Sequence, residues 1–250
     1  MNGWQALLVC AAGVCAGTIN TVVGSGTLVS FPTLLAVGVP PVTANVSNTV
    51  GLFPGSFVGA YGYRGELAGQ RRRAVVLSSA SGTGAVLGAV LLLVLPAAAF
   101  KEIVPVLIGI ALVLVVFGGR ITAWLASHGQ HAAAHVTLPL WVTAFATGVY
   151  GGYFGAAQGV LLLGFLGLFL TESLQRQNAL KNVLAGFTNL VAAVFFVVVT
   201  HVDWLAAGLI AGGSILGGLL GATVGRRLSP TALRATIVAV GVAAIVKLLV

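Results

Sequence analysis

The residues of this chain that could do chemistry are amides, hydroxyls and glycines set into apolar sequence. One group reads Gly17-Thr18-Ile19-Asn20-Thr21-Val22-Val23-Gly24-Ser25-Gly26-Thr27. A second reads Gly148-Val149-Tyr150-Gly151-Gly152-Tyr153-Phe154-Gly155-Ala156-Ala157-Gln158-Gly159. Each is followed by a short apolar stretch and then by an asparagine-bearing helix start, Thr43-Ala44-Asn45-Val46-Ser47-Asn48 and Gln177-Asn178-Ala179-Leu180-Lys181-Asn182. A helix start carries unsatisfied N–H groups and partial positive charge. With glycines for close approach and the Ser and Thr hydroxyls alongside, Gly24-Ser25-Gly26-Thr27 reads as an anion cradle, and Asn20 adds a further polar group. In the second group Gln158-Gly159 takes the place of Ser25-Gly26, and Tyr153 falls near the position of Asn20. Close packing of helices through small residues is the competing account of both.

The asparagines divide by depth. Asn45 and Asn178 suit N-caps. Asn48 and Asn182 sit a turn further in, Asn189 deeper still, and Phe53-Pro54-Gly55 reads as another break. These deeper amides are candidates for lining a polar cavity. Lys181 either brings charge to an anionic substrate or extends to the membrane interface with Arg176. Substrate contact is thus assigned to Asn20, Gly24, Ser25, Gly26, Thr27, Asn45, Asn48, Tyr153, Gln158, Gly159, Asn178, Lys181, Asn182 and Asn189.

The elements that hold these residues are set by composition. Of 250 residues, 58% are hydrophobic and 6% charged, with a mean hydropathy of +1.09. Soluble domains carry about 25% charged residues. This is the composition of an all-α integral membrane protein whose solvent is the bilayer. The net charge of +8 comes from arginines between the apolar stretches, at Arg64, Arg71, Arg72, Arg73, Arg120, Arg226 and Arg227. That distribution follows the positive-inside rule and speaks against nucleic acid as a partner. The segments are 4–20, a short 25–38, 43–63, 74–95, 103–119, 139–155, a short 159–170, 178–199, 204–225 and 231–249. With the loop 64–73 placed inside, a ten-segment parity also puts 120–138, 171–177 and 226–230 inside, and collects nearly all the arginines there. Eight crossings would put Arg226 and Arg227 outside. The ten-segment reading makes residues 1–119 and 139–250 two repeats of five segments in opposite orientation, joined by 120–138. Rocking of one repeat against the other, with each broken hairpin at a central site, is the expected mechanism.

The remaining features carry less chemistry. Cys10 and Cys15 point to different faces of one helix and read as packing residues, and the N-terminal segment reads as a retained helix without a basic leader. His128, His131 and His135 fall in a loop and read as solvated. Glu172 and Asp203 sit in loops, leaving no carboxylate in a predicted span. Gly213, Gly217, Gly221 and Gly225, like Gly51, Gly55 and Gly59, repeat every fourth residue and mark close helix contacts, within a subunit or across a homodimer. No nucleophile–base pair, metal-ligand cluster or phosphate loop lies on a shared face, so neither catalysis nor a cofactor is expected.

At these residues the chain resembles the sulfite exporter TauE/SafE family of membrane permeases. The resemblance rests on Ala16-Gly17 through Asn20, Gly24-Ser25-Gly26, Phe31-Pro32-Thr33-Leu34-Leu35, Pro40-Pro41-Val42-Thr43-Ala44-Asn45, Pro54-Gly55 and Tyr63-Arg64. In the second half it rests on Gly151-Gly152-Tyr153-Phe154-Gly155-Ala156 and Asn178-Ala179-Leu180-Lys181-Asn182, with Ala157-Gln158 where the family pattern has small residues. It implies a multi-pass protein of the bacterial inner membrane that moves sulfite or a small sulfur-containing organic anion such as sulfoacetate, outward in the commoner proposal. A passive anion channel and a membrane subunit without transport of its own are the alternatives.

Overall fold

The computed structural model describes residues 1–128, 136–223, 237–239, 242 and 245–246, and the described residues are helices joined by short connections. In chain order these are α1 (Gly3–Val22), α2 (Thr27–Ala36), α3 (Pro41–Gly62), α4 (Arg71–Val94), α5 (Ala97–His128), α6 (Leu138–Tyr153), α7 (Gln158–Phe169), α8 (Leu174–Val199) and α9 (Trp204–Thr223). Helices α1, α4, α8 and α9, and the stretch Ala98–Phe117 of α5, are long and apolar enough to cross a bilayer. The protein is a multi-pass membrane protein. The segments at 25–38 and 159–170 are the short helices α2 and α7, as their sequence implies.

Several boundaries differ from the sequence reading for local reasons. Helix α3 starts at Pro41 behind an extended Pro40, since proline at the first helical position has its φ already set. Asn45 is therefore inside the helix and caps nothing. Helix α8 starts at Leu174, with the Ser173 hydroxyl accepting from the Arg176 N–H, so Asn178 is also internal. Helix α3 runs through Pro54 without a break. In that turn the Ser214 hydroxyl donates to the Gly51 carbonyl at 2.8 Å, and Gly55 sits flush against the Ser214 backbone. Helix α5 continues to His128, into the expected connecting loop, and its opening turns take in an exposed Glu102. His131 and His135, Arg226 and Arg227, and Gly225 lie outside the described residues.

Glycines decide which helices meet. A Cβ on Gly217 of α9 would lie 2.1 Å from the Val14 carbonyl oxygen of α1, and one on Gly17 would lie 2.4 Å from the Ser214 carbonyl oxygen. The same arrangement recurs between α4 and α6. There a Cβ on Gly84 would meet the Phe145 carbonyl at 2.2 Å, and one on Gly148 the Ser81 carbonyl at 2.2 Å. Helix α3 joins the first pair, with Gly51 on Ile210 and Gly55 on Ser214. Helix α8 joins the second, through Phe187 against Gly82 and a Ser81–Thr188 hydroxyl contact. The ladders read in sequence at Gly51, Gly55 and Gly59 and at Gly213, Gly217 and Gly221 are thus consumed inside one subunit. Each triplet, α1–α3–α9 and α4–α6–α8, mixes helices from both halves of the chain, so the halves are not separate bodies.

One rim of the bundle is tied by charge. Arg73 of α4 and Arg176 of α8 both donate to Glu172, the latter from Nε at 2.6 Å. Gln70 Nε2 donates to the Arg176 carbonyl at 3.1 Å, and Arg176 donates to the Ala68 carbonyl at 3.1 Å. The loops 63–70 and 170–173, both assigned to the inside by charge, therefore meet. The hydrogen bond from Arg73, followed by that from Arg176, holds the Glu172 carboxyl below its ordinary range.

Two outcomes follow. Gly217→Ala should destabilise the fold by about 1–3 kcal/mol through backbone overpacking. Gly212→Ala in the same helix, where a Cβ meets nothing within 4 Å, should be neutral or slightly stabilising. Thermal unfolding of the two detergent-solubilised variants compares them directly. Because the Glu172 carboxyl titrates lower in the folded state, its contribution is complete above the unfolded value of about 4.3 and fades as pH falls through the depressed one. Glu172→Gln should therefore lower the melting temperature at neutral pH, and the difference should close in strongly acidic buffer.

Candidate functional site

Two helices end and two begin at one point in the middle of the bundle. The chain leaves α1 through Gly24 (φ 87°) and leaves α6 through Gly155 (φ 75°), left-handed conformations that glycine adopts without cost. The N–H groups of Val23 and Gly24 both return to the Ile19 carbonyl, and those of Phe154 and Gly155 both return to the Tyr150 carbonyl. The third residue after each glycine opens the next helix, Thr27 in one case and Gln158 in the other. Gln158 therefore stands where Thr27 stands, and Ala156-Ala157 where Ser25-Gly26 stands, a shift of two places from the sequence alignment. Ala157 takes the left-handed conformation (φ 58°) that a glycine would take with less strain.

The two breaks touch. The Gly159 N–H donates to the Gly24 carbonyl at 3.0 Å, and a Cβ on either glycine would lie 2.4 Å from the Cα of the other. Any side chain at Gly24 or Gly159 would push the two breaks apart.

Each break is also gripped by an asparagine from the opposite half. Asn45 Nδ2 of α3 donates to the Tyr153 carbonyl at the end of α6, at 2.9 Å. Asn178 Nδ2 of α8 donates to the Thr21 carbonyl at the end of α1, at 3.3 Å. Both Oδ1 atoms are buried without a partner. The Thr21 carbonyl accepts as well from Asn182 Nδ2 at 3.3 Å and Lys181 Nζ at 3.2 Å, and Lys181 also donates to the Asn20 carbonyl at 2.9 Å. Lys181 is fully buried rather than extended to the interface, and its stem passes Gly159.

The two helix starts differ in what they leave free. At α7 the N–H groups of Gln158, Gly159 and Val160 donate to the carbonyls of Gly155, Gly24 and Ala157. At α2 no hydrogen bond involves the N–H groups of Ser25, Gly26 or Thr27, and the Ser25 hydroxyl, also fully buried, is without a partner. The N–H groups of Ala156 and Ala157 are likewise without a hydrogen bond, so both breaks keep free backbone donors; the second differs in that the Gln158 and Gly159 N–H groups are taken up and in having no hydroxyl at the place of Ser25.

The remaining predicted residues support this arrangement. Asn48 accepts from the Ser30 hydroxyl and donates to Thr27 Oγ1 at 3.3 Å, which steadies the start of α2. Asn20 Nδ2 donates to Ser56 Oγ at 2.9 Å, linking α1 to α3. Gln158 donates to Thr188 Oγ1 at 3.2 Å, and the Tyr153 hydroxyl is buried without a partner. Asn189 is half-buried and makes no hydrogen bond to the others. Sequence reasoning missed Thr21, Ser30, Ser56, Ser81 and Thr188. All but Ser81 are hydroxyl residues within two turns of a named glycine or amide of the same helix, and that spacing is the available signal; Ser81 has none. The crossing is closed, since Ser25, Asn45, Asn48, Gln158, Asn178, Lys181 and Asn182 expose at most 6% of their surface. A separate cavity of about 800 Å³ lies between the starts of α4 and α6, lined by Arg72, Arg73 and Trp141 among others.

Among the described residues no group of three His, Cys, Asp or Glu side chains could hold a metal ion. Two broken helices with free backbone donors, buried in a multi-pass helical bundle, define a membrane transporter architecture. The chain belongs to the sulfite exporter TauE/SafE family, whose pattern matches residues 9–248. Among its relatives is "Probable membrane transporter protein ORF9" of a Sinorhizobium species, 33% identical over 85% of this chain and 78% of that protein. Another is "Probable membrane transporter protein" of Haemophilus influenzae, 25% identical over 93% of this chain and 89% of that protein. No solved structure matches the chain.

Proposed function

We propose that the protein is a secondary transporter of a small oxyanion, sulfite or a sulfur-containing organic anion such as sulfoacetate, in the bacterial inner membrane. Export is the direction that the family's name favours. The observation that carries this reading is the start of α2. Three backbone N–H groups and the Ser25 hydroxyl lie buried there without partners, and the stem of the buried Lys181 lies against Gly159, which touches Gly24 just before them. Unpaired donors of this kind cost about 1–3 kcal/mol each in a dry interior, and an anion satisfies several of them together.

The repeated contacts support two repeats of inverted orientation. Gly24 and Gly155, Asn45 and Asn178, and the glycine crossings α1–α9 and α4–α6 are the pairs that such a duplication generates. The mobile units are then the two triplets α1–α3–α9 and α4–α6–α8 rather than the two halves of the chain. Their relative tilt would open the crossing to one side of the bilayer and then the other.

Purified protein titrated with sulfite, thiosulfate, sulfoacetate, sulfate and acetate tests the reading. Ser25→Ala should weaken binding of the preferred sulfur oxyanion by about tenfold, the value of one charge-assisted hydrogen bond, while the melting temperature of the ligand-free protein does not fall. Wild-type protein that binds none of the sulfur oxyanions would overturn the proposal. A flux that never saturates would instead make the protein a channel.

A further inference from the structure

We infer that Lys181 is a proton carrier, neutral while the site is empty and protonated when the anion is bound; this rests on the anion-transport reading above. Lys181 is fully buried in α8, and its Nζ has two protein partners, the carbonyls of Asn20 and Thr21. A neutral amine has two N–H bonds to give and a lone pair to spare. An ammonium has three N–H bonds and a full charge. The observed partners match the neutral form.

No carboxylate stands by to pair with the ammonium. The four acidic residues of the chain are Glu66, Glu102, Glu172 and Asp203. Glu66 belongs to the α3–α4 loop, Glu102 is exposed on α5, Glu172 is taken up by Arg73 and Arg176, and Asp203 caps α9 by accepting the Ala206 N–H. The titratable side chains on the helices packed against α8 are Cys10 and Cys15 of α1, Tyr61 of α3, Arg71, Arg72 and Arg73 of α4, and Tyr150 and Tyr153 of α6, with Tyr63 just past α3. None of these is an anion that could pair with Lys181. The nearest negative influence is the C-terminal end of α1, worth about half an elementary charge. Half a charge leaves an ammonium under-compensated in a dry interior, where an unpaired ion is expensive. An oxyanion at the free donors of Ser25, Gly26 and Thr27 supplies the rest.

The contrast between the two halves of the chain points the same way. In the first half, Asn48 keeps its bonds within α2 and α3. In the second, Lys181 reaches across to the end of α1 and shares one carbonyl with Asn178 and Asn182. Three donors at 3.2–3.3 Å on one oxygen are more than its two lone pairs hold well, so Lys181 is poised to transfer its hydrogen bond to an arriving anion. The step balances simply: a proton from water on the open side adds to the Nζ lone pair as the anion binds, and both leave together. A singly charged anion then crosses with no net charge.

Isothermal titration of the full-length protein with sulfoacetate at pH 8, where that ligand is fully ionised, tests this. It is run in Tris and in triethanolamine, which differ in ionisation enthalpy and are not anions. The expected result is a buffer-dependent heat corresponding to uptake of about one proton per bound anion. Lys181→Arg, which cannot shed its proton, should bind without that uptake, and Lys181→Met should bind at least tenfold more weakly and equally at pH 6 and pH 9. Wild-type binding with no buffer dependence overturns the proton carrier and leaves anion transport standing. Proton uptake that persists in Lys181→Arg overturns the assignment to Lys181. Absence of binding by both sulfoacetate and sulfite removes the transport reading itself.

Discussion

The contact between Gly24 and Gly159 fixes the rest of the structure. Two chain breaks approach until the N–H of one donates to the carbonyl of the other, with no room for a side chain on either. In a bilayer, backbone left outside a helix must find partners within the protein. Here each break answers the other, and Asn45 and Asn178 take up the carbonyls at the helix ends that remain. Once those bonds are made, backbone donors are left over at both breaks, from Ser25, Gly26 and Thr27 at the first and from Ala156 and Ala157 at the second. The first break differs in also holding the unpartnered Ser25 hydroxyl, where the second has the apolar Ala156.

Much of this could be read from residue order. Charge scarcity gave the membrane class, and the glycine-rich breaks gave the two short helices and their neighbours. Asn45 and Asn178 suit N-caps in sequence, but the structure places both inside their helices. Their helices begin earlier, at Pro41 and Leu174, because proline and serine start a helix as well as asparagine does. The register of the second break was misread because Gln158 is polar and was matched to Ser25, whereas the left-handed glycine is the element that repeats. Backbone conformation fixes that position, and side-chain polarity does not.

Other features could not be read from one chain. Gly13, Gly17, Gly84, Gly88, Gly148 and Gly152 each occur four apart in pairs, a spacing that marks a contact without naming the partner. Only the folded arrangement shows that α1 takes α9 and α4 takes α6. The burial of Lys181 was equally hidden, because a lysine one or two turns into a helix reaches the surface in most settings. What holds it inside is the pair of carbonyls at the end of α1, which belong to the other end of the sequence.

The glycine crossings also define where the molecule can yield. In the α1–α9 and α4–α6 pairs, backbone rests on backbone at distances that no rotamer change can relax. Between α3 and α8, a Cβ on Gly186 would meet side chains rather than backbone, Ser56 at 3.3 Å and Phe57 at 3.5 Å. The contacts between the triplets are instead carried by side chains, with amides and one amine, Asn45, Asn178, Asn182 and Lys181, reaching carbonyls of the opposite half. Backbone contact within the helix pairs and side-chain contact between them divide the molecule into rigid pairs and an adjustable seam, because a side chain can change rotamer where a carbonyl in a helix cannot.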